Sequence, residues 1–387
     1  MTELLDLAIK DCNKYQAFFC KFLSANDAGS TGSHQAGIYM PQNAYEIMFD
    51  TPGEKGQNKD RYIEIRWQND FTTKSRFIYY GQKTRNEYRI TRFGRGFPFL
   101  SDSHIGDLFI LVQAEPDYYL GYLLSSDDEI DSFLEFFGMS PSDTNRFIKN
   151  NSTVENEGHL FSRYISNLEV DFPETKDLAE VARKIYYKVY DRKKAEEIDD
   201  LLLNWLEMEY SLFRAIERDR YSYLLSESIA SIEEYINQAN KILNRRKSRA
   251  GKSLEHHLTA IFNIEKIPFS SQAVTEGSKK PDFIFPGAKA YHDKSYDRSG
   301  LIFLGAKTTC KDRWRQILNE ADEIKVKHLF TLQQGISENQ LNEMYCNNVV
   351  LVVPRKYIST FPKTFRHKIF SLESFIDMAR IKLELKG

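Results

Sequence analysis

The chain has 387 residues, with 53 Lys+Arg against 55 Asp+Glu, a net charge of −2 and 28% charged residues; this is ordinary globular composition, long enough for two domains at roughly 100–200 residues each. No apolar run reaches the ~18–20 residues of a membrane span, and the amino terminus lacks a signal-peptide pattern, so a soluble, cytoplasmic protein is expected. The four cysteines, Cys12, Cys20, Cys310 and Cys346, are too scattered for a disulfide framework or a CxxC zinc site and read as reduced thiols.

A helix over Glu3–Phe22 is predicted to open the chain. Short aromatic and β-branched runs follow, at Tyr62–Trp67, Arg76–Tyr80, Leu108–Val112 and Tyr118–Leu124, whose alternation and spacing predict a small β-barrel or sandwich. Asn150–Gly158 has turn composition. The expected division is a first domain over 1–165, a linker over 166–176 and a second domain over 177–387. Asp177–Phe262 reads as helical, with apolar residues at three- and four-residue steps in Ile229, Ile232, Tyr235, Ile236 and Ala239. The last third alternates strands (Asp282–Phe285, Leu301–Thr309, His328–Leu332, Val349–Val353) with helices (Trp314–Ile324, Phe370–Leu383), an α/β pattern with a mixed or parallel sheet. The whole is thus an α+β / α/β two-domain protein.

The near-zero net charge hides segregation. Lys74–Arg95 carries seven basic residues against Glu87 alone, and Lys241–Lys252 carries six and no acid. Between them, Ser101–Leu160 carries twelve acids against Arg146 and Lys149. A single charge run is as often a solvated face as a binding surface; two such runs point to two phosphate-facing surfaces.

The chemistry centres on Asp282, at the start of a predicted strand, and Lys307, near the end of the next. Strand alternation puts Phe303, Gly305 and Lys307 on one face. A carboxylate that holds Mg²⁺ against a phosphate, beside an ammonium that stabilises developing charge, is what metal-dependent phosphodiester hydrolysis needs. The common nuclease arrangement has a second acid two residues before the lysine, but Gly305 stands there. Glu320, on the predicted helix beginning near Asp312, is the candidate replacement, and Glu255 is a further candidate acid, directly on the metal or behind its ligands. Lys311-Asp312-Arg313 follows at the mouth of the same strand. Forked donors beside an acid suit reading of G·C pairs in the major groove; the bland alternative is a helix cap with two solvated cations.

Several long segments closely resemble the EcoRII family of restriction endonucleases: Asn244–Glu255, Lys279–Pro286, Ala290–Asp293 and Lys307–Asp322 in the second domain, and Leu23–Asp27, Gly32–Tyr39 and Lys83–Gly96 in the first. The resemblance implies a Mg²⁺-dependent type II enzyme of the two-site (type IIE) kind. Its carboxy-terminal domain, of the PD-(D/E)xK type, dimerises and cuts double-stranded DNA. Its amino-terminal pseudobarrel binds a second copy of the site as an allosteric effector. Residue by residue, it implies Asp282, Lys307 and Glu320 as the catalytic set with Glu255 as the additional acid, Asp282, Glu320 and Glu255 being the metal ligands. Lys311, Asp312 and Arg313 become readers of C·G pairs, with Tyr291 next to the site. Recognition arms are implied at Ser24–Tyr39, with Asn26, Asp27 and His34, and at Lys83–Arg92, with Lys83, Arg85, Glu87 and Arg89. A short CC…GG target such as CCWGG is implied, as is a companion cytosine methyltransferase that is not a stable subunit. The amino-terminal domain is expected to dock over the cutting cleft and inhibit it.

The rival from another class is a catalytically silent, sequence-specific DNA-binding regulator; the intact Asp282–Lys307–Glu320 set argues against it. A nuclease without sequence specificity has no use for Lys311-Asp312-Arg313. A zinc enzyme is disfavoured because His256 and His257 are adjacent and cannot face one ion together.

Overall fold

The computed structural model describes residues 2–29, 37–149, 158–190, 196–225 and 231–384. The first unit runs α1 (Glu3–Tyr15), β1 (Ala17–Phe22), β2 (Ile38–Met40), α2 (Tyr45–Met48), β3 (Lys59–Trp67), β4 (Phe71–Tyr80), β5 (Glu87–Thr91), β6 (Leu108–Glu115), β7 (Tyr118–Leu124), α3 (Asp127–Phe136) and β8 (Arg146–Lys149). Its eight strands form one sheet in the order β2-β5-β4-β3-β7-β6-β1-β8. All pairs are antiparallel except β3 with β7, where Ile65 faces Tyr119 in parallel register. This is the expected pseudobarrel, left open at β2 and β8.

Strand periodicity divides the core in two. Phe19, Phe109, Leu111, Tyr119 and Leu123 turn to the concave side, around Trp67. Phe18, Cys20, Ile110, Val112 and Tyr122 turn the other way, onto α1 and α3. The expected helix Glu3–Phe22 is therefore corrected: it ends at Tyr15, where Gln16 turns left-handed (φ 58°), and residues 17–22 form a strand. Phe18-Phe19-Cys20 must bury side chains on both faces at once, which an extended chain between two cores allows and a one-sided helix does not.

The second unit contains α4 (Gly158–Ser166), α5 (Thr175–Val189), α6 (Ile198–Tyr221), α7 (Ile232–Ile264), β9 (Ser270–Ser271), β10 (Phe283–Phe285), α8 (Ala288–His292), β11 (Ile302–Lys307), β12 (Lys327–Thr331), α9 (Glu338–Cys346), β13 (Val349–Val352) and α10 (Leu372–Glu384). The five strands are ordered β13-β12-β11-β10-β9, with β11, β12 and β13 parallel and β10 antiparallel to β11. β11 and β12 are buried on both faces, and helices cover the sheet, with Phe262 of α7 against Phe283 and Phe285, and Phe375 of α10 against Phe285. The expected domain boundary at 165 falls at the end of α4, whose Phe161 packs into this second core. Phe172, in the expected linker, packs on Phe213 and Tyr221.

Two further expectations change. The segment expected as a helix over Trp314–Ile324 is a 3₁₀ turn over Arg313–Asn319, with Glu320 already extended at its end. The tighter winding places Trp314 and Ile317, three apart, on one buried edge. In α7 the apolar stripe at Ile232, Tyr235 and Ile236 is exposed rather than buried; Ile229 lies outside the described residues. Among the described residues no helix is long and apolar enough to cross a membrane.

Candidate active site and its cover

Asp282 sits immediately before β10, between β11 and the short edge strand β9, and is 7% exposed. One carboxylate oxygen accepts the Ala306 N–H of β11 (2.8 Å), which fixes the side chain against the neighbouring strand. Lys307, at the end of β11, brings its Nζ to 3.8 Å from the same oxygen. The other oxygen accepts from Gln272 Nε2 (3.0 Å), and that same nitrogen donates to Glu255 Oε2 (3.0 Å) on α7. Gln272 thus bridges two carboxylates, and sequence reasoning missed it: nothing in its surroundings distinguishes it from a loop glutamine.

Glu320 completes the group from the far side of the 3₁₀ turn. Its carboxyl is held above the usual range by burial and then by the Asp282 charge, and Glu255 is raised by the same two causes in the same order. Asp282 is thus the shared neighbour of both acids. The missing acid at position 305 has a packing reason. A Cβ on Gly305 would lie 3.0 Å from Ile317 Cγ2, beneath the 3₁₀ turn, so a carboxylate side chain there would have to enter the core. Among the described residues no three acid, histidine or cysteine side chains converge as a ready-made ion cage. Asp282, joined to Glu255 through Gln272 and felt electrostatically by Glu320, is nonetheless surrounded by the hard oxygens that Mg²⁺ takes, without sulfur or imidazole. His257 is wholly buried against Glu209 (2.8 Å), and the half-buried His256 meets Thr175, so neither serves this site.

The first unit lies across this site. A cavity of about 860 Å³ separates them, lined by Asp128, Asp131 and Glu135 of α3 on one side and by Glu255, Lys307 and Arg313 on the other. The expected base readers are held at its edge. Asp127 accepts the backbone N–H groups of Lys311 (3.0 Å), Asp312 (2.6 Å) and Arg313 (3.0 Å), while Asp312 Oδ2 accepts Asp127 N–H (3.1 Å) in return. Asp131 takes the Arg313 guanidinium and the Thr309 hydroxyl (2.8 Å), and Asp107 takes the Lys311 ammonium. Lys311 is 7% exposed.

In the basic run 241–252, expected to face phosphates, Lys241, Lys247 and Lys252 are exposed while the three arginines are turned inward. Arg249 is buried against Glu209 (3.2 Å), Arg245 lies on the Phe172 ring, and Arg246 binds Glu217 (2.8 Å) and carbonyls at the end of α3. These arginines tie helices together.

In the first unit the two expected arms divide. Lys83 and Arg85 are exposed, Arg85 resting over the Tyr80 ring, and Glu87 is half-buried. Arg89 is 3% exposed and donates to the Gly37 carbonyl (3.3 Å). Asp27 is 1% exposed and accepts from Lys21 (2.7 Å), Ser24 Oγ (2.7 Å) and Tyr39 N–H (2.7 Å). In this conformation Arg89 and Asp27 therefore build the arm's base and do not face outward. Asn26 lines a second cavity between the units, and Ala25 N–H donates to the Thr360 carbonyl (2.8 Å). His34 lies outside the described residues. Tyr291, expected beside the site, is 3% exposed and gives its hydroxyl to Glu276 (2.5 Å), away from the cleft.

Comparison with known proteins agrees over both units. Residues 12–120 match the family "Restriction endonuclease EcoRII, N-terminal", and residues 213–376 match "EcoRII C terminal". The chain is 35% identical over 396 residues to the type II restriction enzyme EcoRII of Escherichia coli, covering 96% of this chain and 95% of that protein. It is 28% identical over 151 residues to the type II restriction enzyme SsoII of Shigella sonnei, covering 36% of this chain and 47% of that one. Among the solved structures that match are two complexes with DNA. They are metal-depleted Ecl18kI with uncleaved DNA (TM-score 0.43, 21% identity, 59% of this chain and 84% of that one) and the PspGI–substrate DNA complex (TM-score 0.42, 18%, 55% and 94%).

The interface carries one titratable group that should report on docking. Glu135 is pushed up from 4.5 to about 7, first by burial and then by Asp131, against the attraction of Lys247 and Arg313. Below about pH 4.5 the group is neutral in folded and unfolded chains alike and its favourable contribution is complete; that contribution is lost as the pH rises through about 7. Glu135→Gln should therefore raise the thermal midpoint over wild type near pH 8 by more than it does near pH 5. An equal difference at both pH values would show that Glu135 titrates normally.

Proposed function

Because the chain belongs to the EcoRII family of type II restriction enzymes, which are site-specific deoxyribonucleases, we propose that it is a Mg²⁺-dependent enzyme of the two-site kind. It cuts double-stranded DNA at a short CC…GG-type sequence, CCWGG or a close variant, while its first unit binds another copy of the site as effector. The observation that carries this reading is the meeting of Asp282 and Lys307 at the ends of adjacent strands, with Glu255 of α7 joined to Asp282 through Gln272 and Glu320 within reach of the Asp282 charge.

Asp282 and Glu320 would hold Mg²⁺, with Glu255 supporting them. Bound there, the ion adds positive charge at the scissile phosphate and acidifies the attacking water. The rest falls to the chain. The Ala306 N–H keeps Asp282 from rotating away, Lys307 places a cation where negative charge grows in the transition state, and Gln272 spaces Glu255 from Asp282. Lys311, Asp312 and Arg313 read C·G pairs in the major groove, and Lys83 and Arg85 lead the effector contact. The working enzyme is a homodimer in the cytoplasm, with a separate cytosine methyltransferase protecting the host sites.

The first unit holds the second shut. Asp107, Asp127 and Asp131 take the groups that DNA must take, so cutting requires α3 to leave. Effector DNA on the first unit favours that departure.

Digestion of a sequenced plasmid with and without Mg²⁺, followed by mapping of the product ends, tests the reading. Discrete Mg²⁺-dependent fragments are expected; tight specific binding without any cleavage would make the chain a silent regulator instead. Asp282→Asn and Lys307→Met should each slow cleavage by at least about a hundredfold while specific binding persists. A variant that still cuts at the wild-type rate removes that residue from the set. Asp127→Asn combined with Asp131→Asn should raise cleavage of a one-site plasmid by about tenfold or more, since charge-assisted hydrogen bonds are each worth about 1.5–3 kcal/mol. An unchanged dependence on a second site would show that these contacts do not hold the enzyme shut.

A further inference from the structure

Glu320 reaches the site from a strained turn. It ends the 3₁₀ segment in an extended conformation (φ −97°, ψ 142°), and the next residue, Ala321, is left-handed at φ 49° with its side chain fully buried. A residue with a Cβ in that region persists only where its surroundings hold it. The direction of the Glu320 side chain is therefore set by whatever holds the turn.

The holding groups are polar, one from the sheet and two from the turn at residues 276–279. Lys327, the first residue of β12 and 4% exposed, donates from Nζ to the carbonyls of Glu320 and of Ala321 (2.6 Å). Lys279 donates to the Asn319 carbonyl. Glu276 accepts the Asp322 N–H (3.2 Å) while its other oxygen takes the Tyr291 hydroxyl. Lys327 is the most firmly placed of these. Its N–H donates to the Asn348 carbonyl (2.9 Å), it stands opposite Phe303 in the β11–β12 pair, and its ammonium lies 5.0 Å from the centre of the Phe303 ring.

We propose that Lys327 is a positioning residue for Glu320. A buried lysine is costly unless its charge is used, and here it gathers the two carbonyls that flank the left-handed bond, transmitting the rigidity of β12 to the carboxylate that faces Asp282. Lys327 touches neither Asp282 nor Lys307; it acts through the Glu320 backbone. The inference rests on the proposed reading of Glu320 as a metal ligand.

The test titrates Mn²⁺ by calorimetry into the full-length enzyme bound to the site duplex found by end-mapping, alongside the Mg²⁺ concentration for half-maximal cleavage. Lys327→Met should weaken Mn²⁺ binding by about tenfold or more and raise the half-saturating Mg²⁺ concentration by a similar factor, as expected when a group behind a metal ligand is lost. Metal-free duplex binding should stay within about twofold of wild type, and Lys327→Arg, which can still donate to both carbonyls, should recover part of the loss. Wild-type Mn²⁺ affinity and Mg²⁺ dependence in folded Lys327→Met would overturn the proposal, because a merely structural lysine lowers stability without moving either. Should that variant fail to fold, Lys327→Gln carries the same expectation and the same refutation. Glu320→Gln separates the two levels: if it leaves Mn²⁺ binding and cleavage intact, the reading of Glu320 itself fails, whereas its loss of both beside an unaffected Lys327→Met fails Lys327 alone.

Discussion

Three successive backbone N–H groups, those of Lys311, Asp312 and Arg313, point at a single carboxylate, Asp127 of the other unit. That contact fixes how the two halves of the molecule meet. Asp127 opens α3 behind the Ser126 cap, so the same few residues that start the helix also place it over the proposed catalytic residues. Asp131, one turn on, reaches Arg313, and Glu135, one turn further, faces Lys247. The i, i+4 spacing of a helix thus sets three acids along one edge of the cleft.

The charge logic follows from what DNA demands. A surface that binds phosphates and guanines must present cations and N–H donors, and those groups, buried in one conformation without DNA, need anions in its place. The acidic stretch of the first unit supplies them. The proposed regulation therefore uses no separate device: the groups proposed to read the site are the ones proposed to close it. Competition of this kind is sensitive to salt on both sides, since the docked contact and the DNA contact are charge-assisted alike.

The proposed catalytic pair is legible in the sequence because its signal is local. Asp282 and Lys307 lie on neighbouring strands whose alternation can be read directly, and Glu320 was found by asking where an acid displaced by Gly305 must go. The backbone carrying Glu320 was not legible, since a 3₁₀ turn with Trp314 and Ile317 buried has nearly the same apolar spacing as a helix. The part of the basic runs that is turned inward was hidden for a different reason. Sequence counts charge but not its partners, and Arg246, Arg249 and Arg89 are spent on Glu217, Glu209 and a backbone carbonyl. Gln272 and Lys327 left no trace at all, because their roles arise from contacts across the fold.

If the proposed closure operates, cutting requires the first unit to move off the second. Cys346 is exposed while Cys12, Cys20 and Cys310 are buried, so it can carry one spin label, and Asp70→Cys on an exposed turn of the first unit can carry the other. The distance distribution between the two labels, measured with and without the site duplex under conditions where the labelled enzyme cuts plasmid, reads the motion directly. One narrow distribution is expected in the free protein, shifting when duplex binds. An unchanged distribution in an enzyme that is cutting would contradict the proposed closure.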